Sequence, residues 1–221
     1  MLQRDYLLRM IEQLAAVVAY VIALSDRGRQ EEALNALSRA YGQLVGLDAD
    51  LVRTLAADSL TALLRSGESL DAGKCLALAE LLEREGDVCD RQGRPVDAGD
   101  RRVTALGVRL AIWSSAITAP VPDNATRLDS LLTRLRGQDF PPATRRRRVR
   151  YYEVTGRYAD AEDQLFDLLE TGTPAPDLLE EGIGFYERLL TKSRAALVRG
   201  RLPRTEVREG LAKLIATRRP V

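Results

Sequence analysis

Leu7, Ile11, Leu14, Val18 and Val21 recur at steps of three and four residues, and after a short polar break Ala33, Leu34, Leu37, Tyr41 and Leu44 do the same. Each row is the apolar stripe of an amphipathic helix. The rhythm returns at Leu78, Leu81, Leu82 and Val88, then at Ala98, Ala105 and Leu106. It returns again at Val149 and Tyr152, and at Ala161, Leu165, Phe166, Leu168 and Leu169. The pattern predicts helices at about 3–26, 29–45, 49–65, 70–92, 95–117, 123–136, 142–155, 157–170, 177–198 and 204–217. No alternation of strand period is long enough to compete. Prolines break the pattern in "TAPVPD" (118–123, with Asp123 as an expected N-cap) and "TGTPAPD" (171–177), while "RGRLPRT" marks a last joint before a terminal capping helix and an "RRPV" tail. The first break divides the expected organisation into residues 1–118 and 119–221, two halves of one continuous helical array.

Three of the polar breaks share one phrase: "GRQEEA" at 28–33, "GRPVDA" at 93–98 and "GRYADA" at 156–161. A glycine at positive φ lets one helix end and the chain reverse. An alanine five residues later allows two helices to cross closely. Gly28 with Ala33, Gly93 with Ala98, and Gly156 with Ala161 therefore define three helical hairpins, and "GESLDA" at 67–72 offers a weaker fourth. With Tyr152 four residues before Gly156, the chain resembles the tetratricopeptide helical repeats, whose pattern combines an aromatic, a turn glycine and later small residues. The resemblance implies an all-α fold of antiparallel hairpins stacked as a right-handed α-solenoid. The opening "DYLLRMIEQLA", with "EEALNAL" and "GLDADLV", also resembles an uncharacterised bacterial repeat-like family.

Composition narrows the function. Thirty-three basic and 32 acidic residues nearly cancel, so no global field draws the chain to nucleic acid or anionic lipid. The absence of histidine removes the commonest general base and metal ligand, which weighs against an enzyme; neither cofactor nor metal is expected. Cys75 and Cys89 lie about 21 Å apart along one expected helix, too far to pair, and two such thiols suit a reducing cytoplasm. The apolar run Leu14–Leu24 is too short to span a bilayer and reads as a buried core helix, so no membrane association is expected.

Two charged clusters are the candidate chemistry. Glu80, Glu83, Asp87 and Asp90 fall within an arc of roughly 80° on one helix. They read as a solvated face with Glu80–Arg84 and Asp87–Arg91 pairs, as a ligand-facing stripe, or as a carboxylate metal site. In "RRRRVR" (145–150), four consecutive arginines spread around the helix and at least one must meet the core, so a partner is required. Asp160, Glu162 and Asp163 are internal candidates. The alternatives are recognition of a partner's carboxylates through Arg146 and Arg150, or phosphate binding with Tyr151 and Tyr152 as stacking surfaces. "GIG" at 182–184 lacks a preceding strand and is discounted as a nucleotide loop.

The tetratricopeptide resemblance projects Val18, Ile22, the acidic stripe and Arg146 with Arg150 onto the concave surface. The function this implies is a non-enzymatic cytoplasmic scaffold or adaptor holding an unidentified peptide or protein segment. The alternatives are a self-associating structural protein, such as a homodimer, and a nucleic-acid binder using the arginine run, which the nearby acidic residues disfavour.

Overall fold

The computed structural model describes residues 2–114, 124–170 and 176–218, with side chains from Arg9 onward. The break at 118–123 with its cap Asp123, the segment 171–175 with Pro174, and residues 219–221 of the tail lie outside the described residues. The described chain is all-helical apart from one two-stranded hairpin. In order, the elements are α1 (Leu2–Asp26), α2 (Gln30–Ala40) running into a π-helical turn (Tyr41–Val45), α3 (Ala49–Thr54), α4 (Ala57–Leu63), β1 (Arg65–Ser66) and β2 (Ser69–Leu70). There follow α5 (Ala72–Arg91), α6 (Pro95–Ser114), α7 (Asn124–Arg134), α8 (Pro142–Val154), α9 (Tyr158–Glu170), α10 (Pro176–Leu190), α11 (Arg194–Arg199) and α12 (Arg204–Arg218).

The shared phrase is one local structure made three times. Gly28, Gly93 and Gly156 have φ of 75°, 73° and 78°. Each glycine N–H donates to the carbonyl three residues back (Ser25, Asp90, Glu153, at 3.0–3.1 Å). Each following arginine N–H donates five residues back (Leu24, Cys89, Tyr152, at 2.8–2.9 Å). This is the Schellman closure of a helix. The arginine carbonyl then accepts the first bond of the next helix from Ala33, Ala98 or Ala161, at 3.0–3.1 Å. Those alanines are fully buried, where a larger side chain would force the helices apart. The arginine is thus the last of the three residues between two helices, and in two copies it clamps the new one: Arg29 pairs with Glu32, and Arg94 with Asp97 at 2.7 Å.

The fourth phrase is different. Gly67, at φ 60°, sits in the two-residue turn of the β1–β2 hairpin, with Arg65 opposite Leu70 and Ser66 opposite Ser69. Ala72 merely opens α5 behind its N-cap Asp71. Two expected helices are also divided. Leu55 and Ala56 adopt extended conformations between α3 and α4. Ser193 ends the second interruption by accepting the N–H of Ala196 at 3.2 Å, which starts α11.

Two compact units result, Met1–Asp139 and Phe140–Val221. α7 packs on α6 and so belongs to the first unit, which runs to Asp139. In the first unit α5 is the central helix, packed against α1, α2, the π-helical turn and α6. Leu78, Leu81 and Leu82 of α5 are fully buried with Leu37, Tyr41 and Leu106. α1 is only partly core. Met10, Val21 and Leu24 are buried, but Ile11, Tyr20 and Ile22 are 42%, 53% and 41% exposed, so the apolar run is not the wholly buried helix its composition suggests.

In the second unit α8 pairs with α9, and α10 with α12. Glycines permit these contacts. A Cβ on Gly182, inside the discounted "GIG", would lie 2.6 Å from Leu214 Cδ1, and one on Gly210 would lie 2.3 Å from the Tyr186 ring. One on Gly200 would stand 2.2 Å from Tyr158 Cδ2 and 2.7 Å from the Gly156 carbonyl oxygen. Gly200→Ala is therefore expected to lower the unfolding free energy by about 1–3 kcal/mol. Gly99→Ala, whose methyl would find Gln138 Oε1 at 3.7 Å, should raise it by up to about 1 kcal/mol through helix propensity. Urea unfolding of the two variants checks both signs.

Candidate functional site

The acidic stripe on α5 lies against the neighbouring helices, where it forms a ladder with their arginines. Arg109 of α6 donates through Nε to Glu83 at 2.6 Å and through Nη2 to Glu80 at 3.0 Å. Two turns along, Arg102 of α6 reaches Asp87 at 3.0 Å and Asp90 at 2.5 Å. α7 repeats the arrangement, with Arg127 at 3.7–3.9 Å from Glu80 and Glu83, and Arg134 at 3.0–3.4 Å from Asp87 and Asp90. Arg84 joins the two rungs by pairing with Glu80 at 3.0 Å and Asp87 at 2.9 Å. Gly86 lets α6 approach: a Cβ there would meet the Ala98 carbonyl oxygen at 3.1 Å and Arg102 Cγ and Nε at 3.3 Å.

This arrangement replaces two readings of the stripe. It is not a solvated face, since Glu83, Arg102 and Arg109 are buried. Each carboxylate holds guanidinium nitrogens, and no group of metal-ligating side chains occurs among the described residues. The Glu80–Arg84 pair forms, whereas Arg91 pairs with Asp26 of α1 at 2.7 Å. Burial pushes the Glu83 carboxyl up against the pull of Arg109 and Arg127.

On another side of α5, buried Glu85 accepts from Tyr41 Oη at 2.7 Å, from Arg53 at 2.7 Å and from Arg101 at 3.2 Å. Burial and the adjacent Glu85 carboxylate hold the Tyr41 phenol well above its ordinary range. Burial likewise pushes the Cys75 thiol up to about 12 and raises Cys89, so neither is an activated nucleophile.

The ladder opens to solvent at its Asp87–Asp90 end, beside α1. There a cleft of about 380 Å³ is lined by Val21, Ile22 and Ser25 of α1, by Arg84, Asp87, Val88, Asp90 and Arg91 of α5, and by Arg134 of α7. Its floor is aliphatic and its rim charged. Of the residues predicted to contact a partner, Ile22, Asp87 and Asp90 meet here. Val18 lies half-buried one turn earlier on α1, and Glu80 and Glu83 lie deeper in the ladder.

Arg146 and Arg150 belong to the second unit. Arg146 pairs with Asp177 at 2.7 Å and Glu181 at 3.3 Å, both on α10. Arg150 joins Arg188 on Glu153, at 2.9 and 2.7 Å. Arg148 lies over the Phe140 ring at 4.2 Å and the Tyr152 ring at 5.7 Å, and Arg157 over Tyr152 and Tyr151 at 4.6 and 5.0 Å. The run has internal partners, as its placement requires: those of Arg146, Arg148 and Arg150 come from α10, α8 itself and aromatic rings, and Arg145 donates to the Phe140 carbonyl at 2.8 Å. Of the acids expected on α9, Asp160 pairs with Arg201 at 2.7 Å and Glu162 accepts from Tyr186 at 2.6 Å.

Sequence reasoning missed Arg102, Arg109, Arg127 and Arg134, and with them the cleft. A signal existed. Arg102 and Arg109 stand seven residues apart, as do Arg127 and Arg134, matching Glu80 to Asp87 and Glu83 to Asp90.

A family model described as a family of unknown function (DUF6483) matches residues 1–219, almost the whole chain. Comparison with curated proteins and with solved structures finds no match. No helix among the described residues is long and apolar enough to cross a membrane.

Arg109→Ala leaves Glu83 buried without its nearest cation and should cost about 3–5 kcal/mol in urea unfolding. Glu153 supplies a pH test. Burial alone would raise its pKa, but the hydrogen bonds from Arg188 and Arg150 outweigh burial and lower it. A lowered folded pKa stabilises above the ordinary glutamate value near about 4.3 and loses that contribution as pH falls through the folded value. Glu153→Gln should cost about 1.5–3 kcal/mol at neutral pH, a difference that shrinks below about pH 4.

Proposed function

We propose that this chain, which belongs to the family of unknown function DUF6483, is a non-enzymatic interaction module that holds a peptide or protein segment along α1 and α5. The observation that carries the reading is an apolar row on α1 that runs into the cleft. Ile11, Ala15, Val18 and Ile22 follow one another at steps of four, three and four residues, which puts them on one side of the helix for roughly 16 Å. Ile11 and Ile22 keep two-fifths of their surface in water, so the row presents apolar surface to solvent at both ends.

The reading is consistent with hairpins built as repeats of a tetratricopeptide-like right-handed solenoid, with α1 and α5 as the first helices of two successive repeats. The threefold recurrence of the Gly-Arg closure and the buried alanine supports that arrangement. Catalysis is not part of the proposal. A chain without histidine, whose thiols are held protonated by burial, has few groups to move protons or attack substrates near neutral pH. A cytoplasmic setting fits its two unpaired cysteines.

The test is a nuclease-treated pull-down from the native host, comparing wild type with Ile11→Asp/Ile22→Asp, alongside sedimentation of each purified protein. A defined partner retained by wild type and lost by the variant, with both proteins monomeric, is the expected result. Identical captured proteins from both baits would overturn the assignment to α1. A wild-type dimer that the variant abolishes would instead make α1 a self-association surface.

A further inference from the structure

The hydrogen-bonding capacity left over in the cleft is one-sided. Asp87 receives Arg84, Arg102 and Arg134, and Asp90 receives Arg102 and Arg134, so the two carboxylates are already heavily engaged. Of the guanidiniums, Arg84 is spent on Glu80 and Asp87, but Arg91 and Arg134 are not. Each carries five N–H donors. Among the described residues, Arg134 directs two nitrogens at those carboxylates, and Arg91 directs one at Asp26. Both reach water, with side chains 50% and 45% exposed. What remains for an incoming group is mainly donors at the rim, above a floor of Val21, Ile22 and Val88.

Building on the interaction reading above, we propose that the occupant is an acidic amphipathic peptide segment. Its aliphatic or aromatic side chains would fill the cleft and lie along Ile22, Val18 and Ile11, and its carboxylates would be taken by Arg91 and Arg134. Three features select this chemistry. A carboxylate matches the geometry of a guanidinium through two parallel N–H bonds. A volume of about 380 Å³ accommodates a few side chains, and the apolar row that continues along α1 for roughly 16 Å suits an extended or helical segment more than a compact molecule. The aliphatic lining offers no ring on which a nucleobase could stack.

The probe is a displayed library of random 12-residue peptides selected on the full chain, followed by titration of the leading synthetic peptide. Enriched sequences should combine Asp or Glu with large apolar residues at helical spacing. Arg91→Gln/Arg134→Gln should weaken the leading peptide about tenfold or more, with binding falling as salt rises. Ile22→Asp should weaken it comparably. Circular dichroism melts of both variants establish that they are folded, and Ile22→Asp, which removes no member of the cleft's ion pairs, serves if the arginine variant is not.

Enrichment of basic or uncharged peptides that still depend on Ile22 would overturn the acidic partner while leaving peptide binding intact. Enrichment insensitive to Ile22 and to both arginines would remove the cleft from either role. No enrichment over an unrelated folded control would overturn both. Displacement of the peptide by a single-stranded oligonucleotide, itself dependent on Arg91 and Arg134, would reassign the cleft to nucleic acid.

Discussion

Carboxylates cannot enter a protein interior unpaired, and α5 carries five of them in the middle of its unit. Glu80, Glu83, Glu85, Asp87 and Asp90 share a helix that packs against α1, α2 and α6. Arginine supplies the compensation from every side: Arg53 from α3, Arg101, Arg102 and Arg109 from α6, and Arg127 and Arg134 from α7. Helix placement in the first unit has to satisfy these pairs as well as the apolar contacts. The cleft is the place where compensation meets solvent. Its charged rim is the outer end of a structural device, where Arg102 holds Asp87 and Asp90 from within and half-exposed Arg134 holds them from the solvent side.

Helix positions were largely legible in the sequence because a stripe of period 3.6 is a local property, set by residues three and four apart. The three turns were legible for the same reason. Glycine at positive φ and alanine at the crossing are requirements met within six residues, and Gly28, Gly93 and Gly156 meet them in one geometry. "GESLDA" shows the limit of that logic, since the glycine offset alone did not distinguish a helix closure from the tight turn of a strand pair. In the other three copies the residue after the glycine completes the closure with its backbone N–H and starts the next helix with its carbonyl, groups that Glu68 also carries, so the short phrase does not separate the two outcomes.

The site was less legible because its partners are distant in sequence. The wheel placed Glu80, Glu83, Asp87 and Asp90 on one stripe, but the residues that bury the stripe are 12 to 47 positions away. For the arginine run, the requirement that closely spaced guanidiniums find partners was sound, while the helix that provides them was not identifiable. Asp177 and Glu181 lie beyond a proline-containing break, and nothing local favours them over Asp160 or Glu162. The half-exposed state of Ile11 and Ile22 was hidden as well, because a composition as apolar as Leu14–Leu24 reads the same whether one side of the helix is covered or all of it is.

The spacing of the ladder also bears on how the chain reaches its fold. Aliphatic helix surfaces are nearly translation-invariant, so a collapsed chain can trap α6 one turn out of place on α5 with most of its burial intact. A stripe of four acids facing arginines seven residues apart breaks that degeneracy, because the stripe is finite and only one alignment satisfies every pair. A slip of one turn keeps one arginine between two acids, Glu83 and Asp87, but leaves the other with a single acid at the end of the stripe, and a slip of two turns, about 10.5 Å, restores one rung and strands the other. Misregistered intermediates therefore carry an electrostatic penalty that hydrophobic collapse does not impose, and the charged interior acts during folding as a vernier that rejects near-miss alignments of the helices.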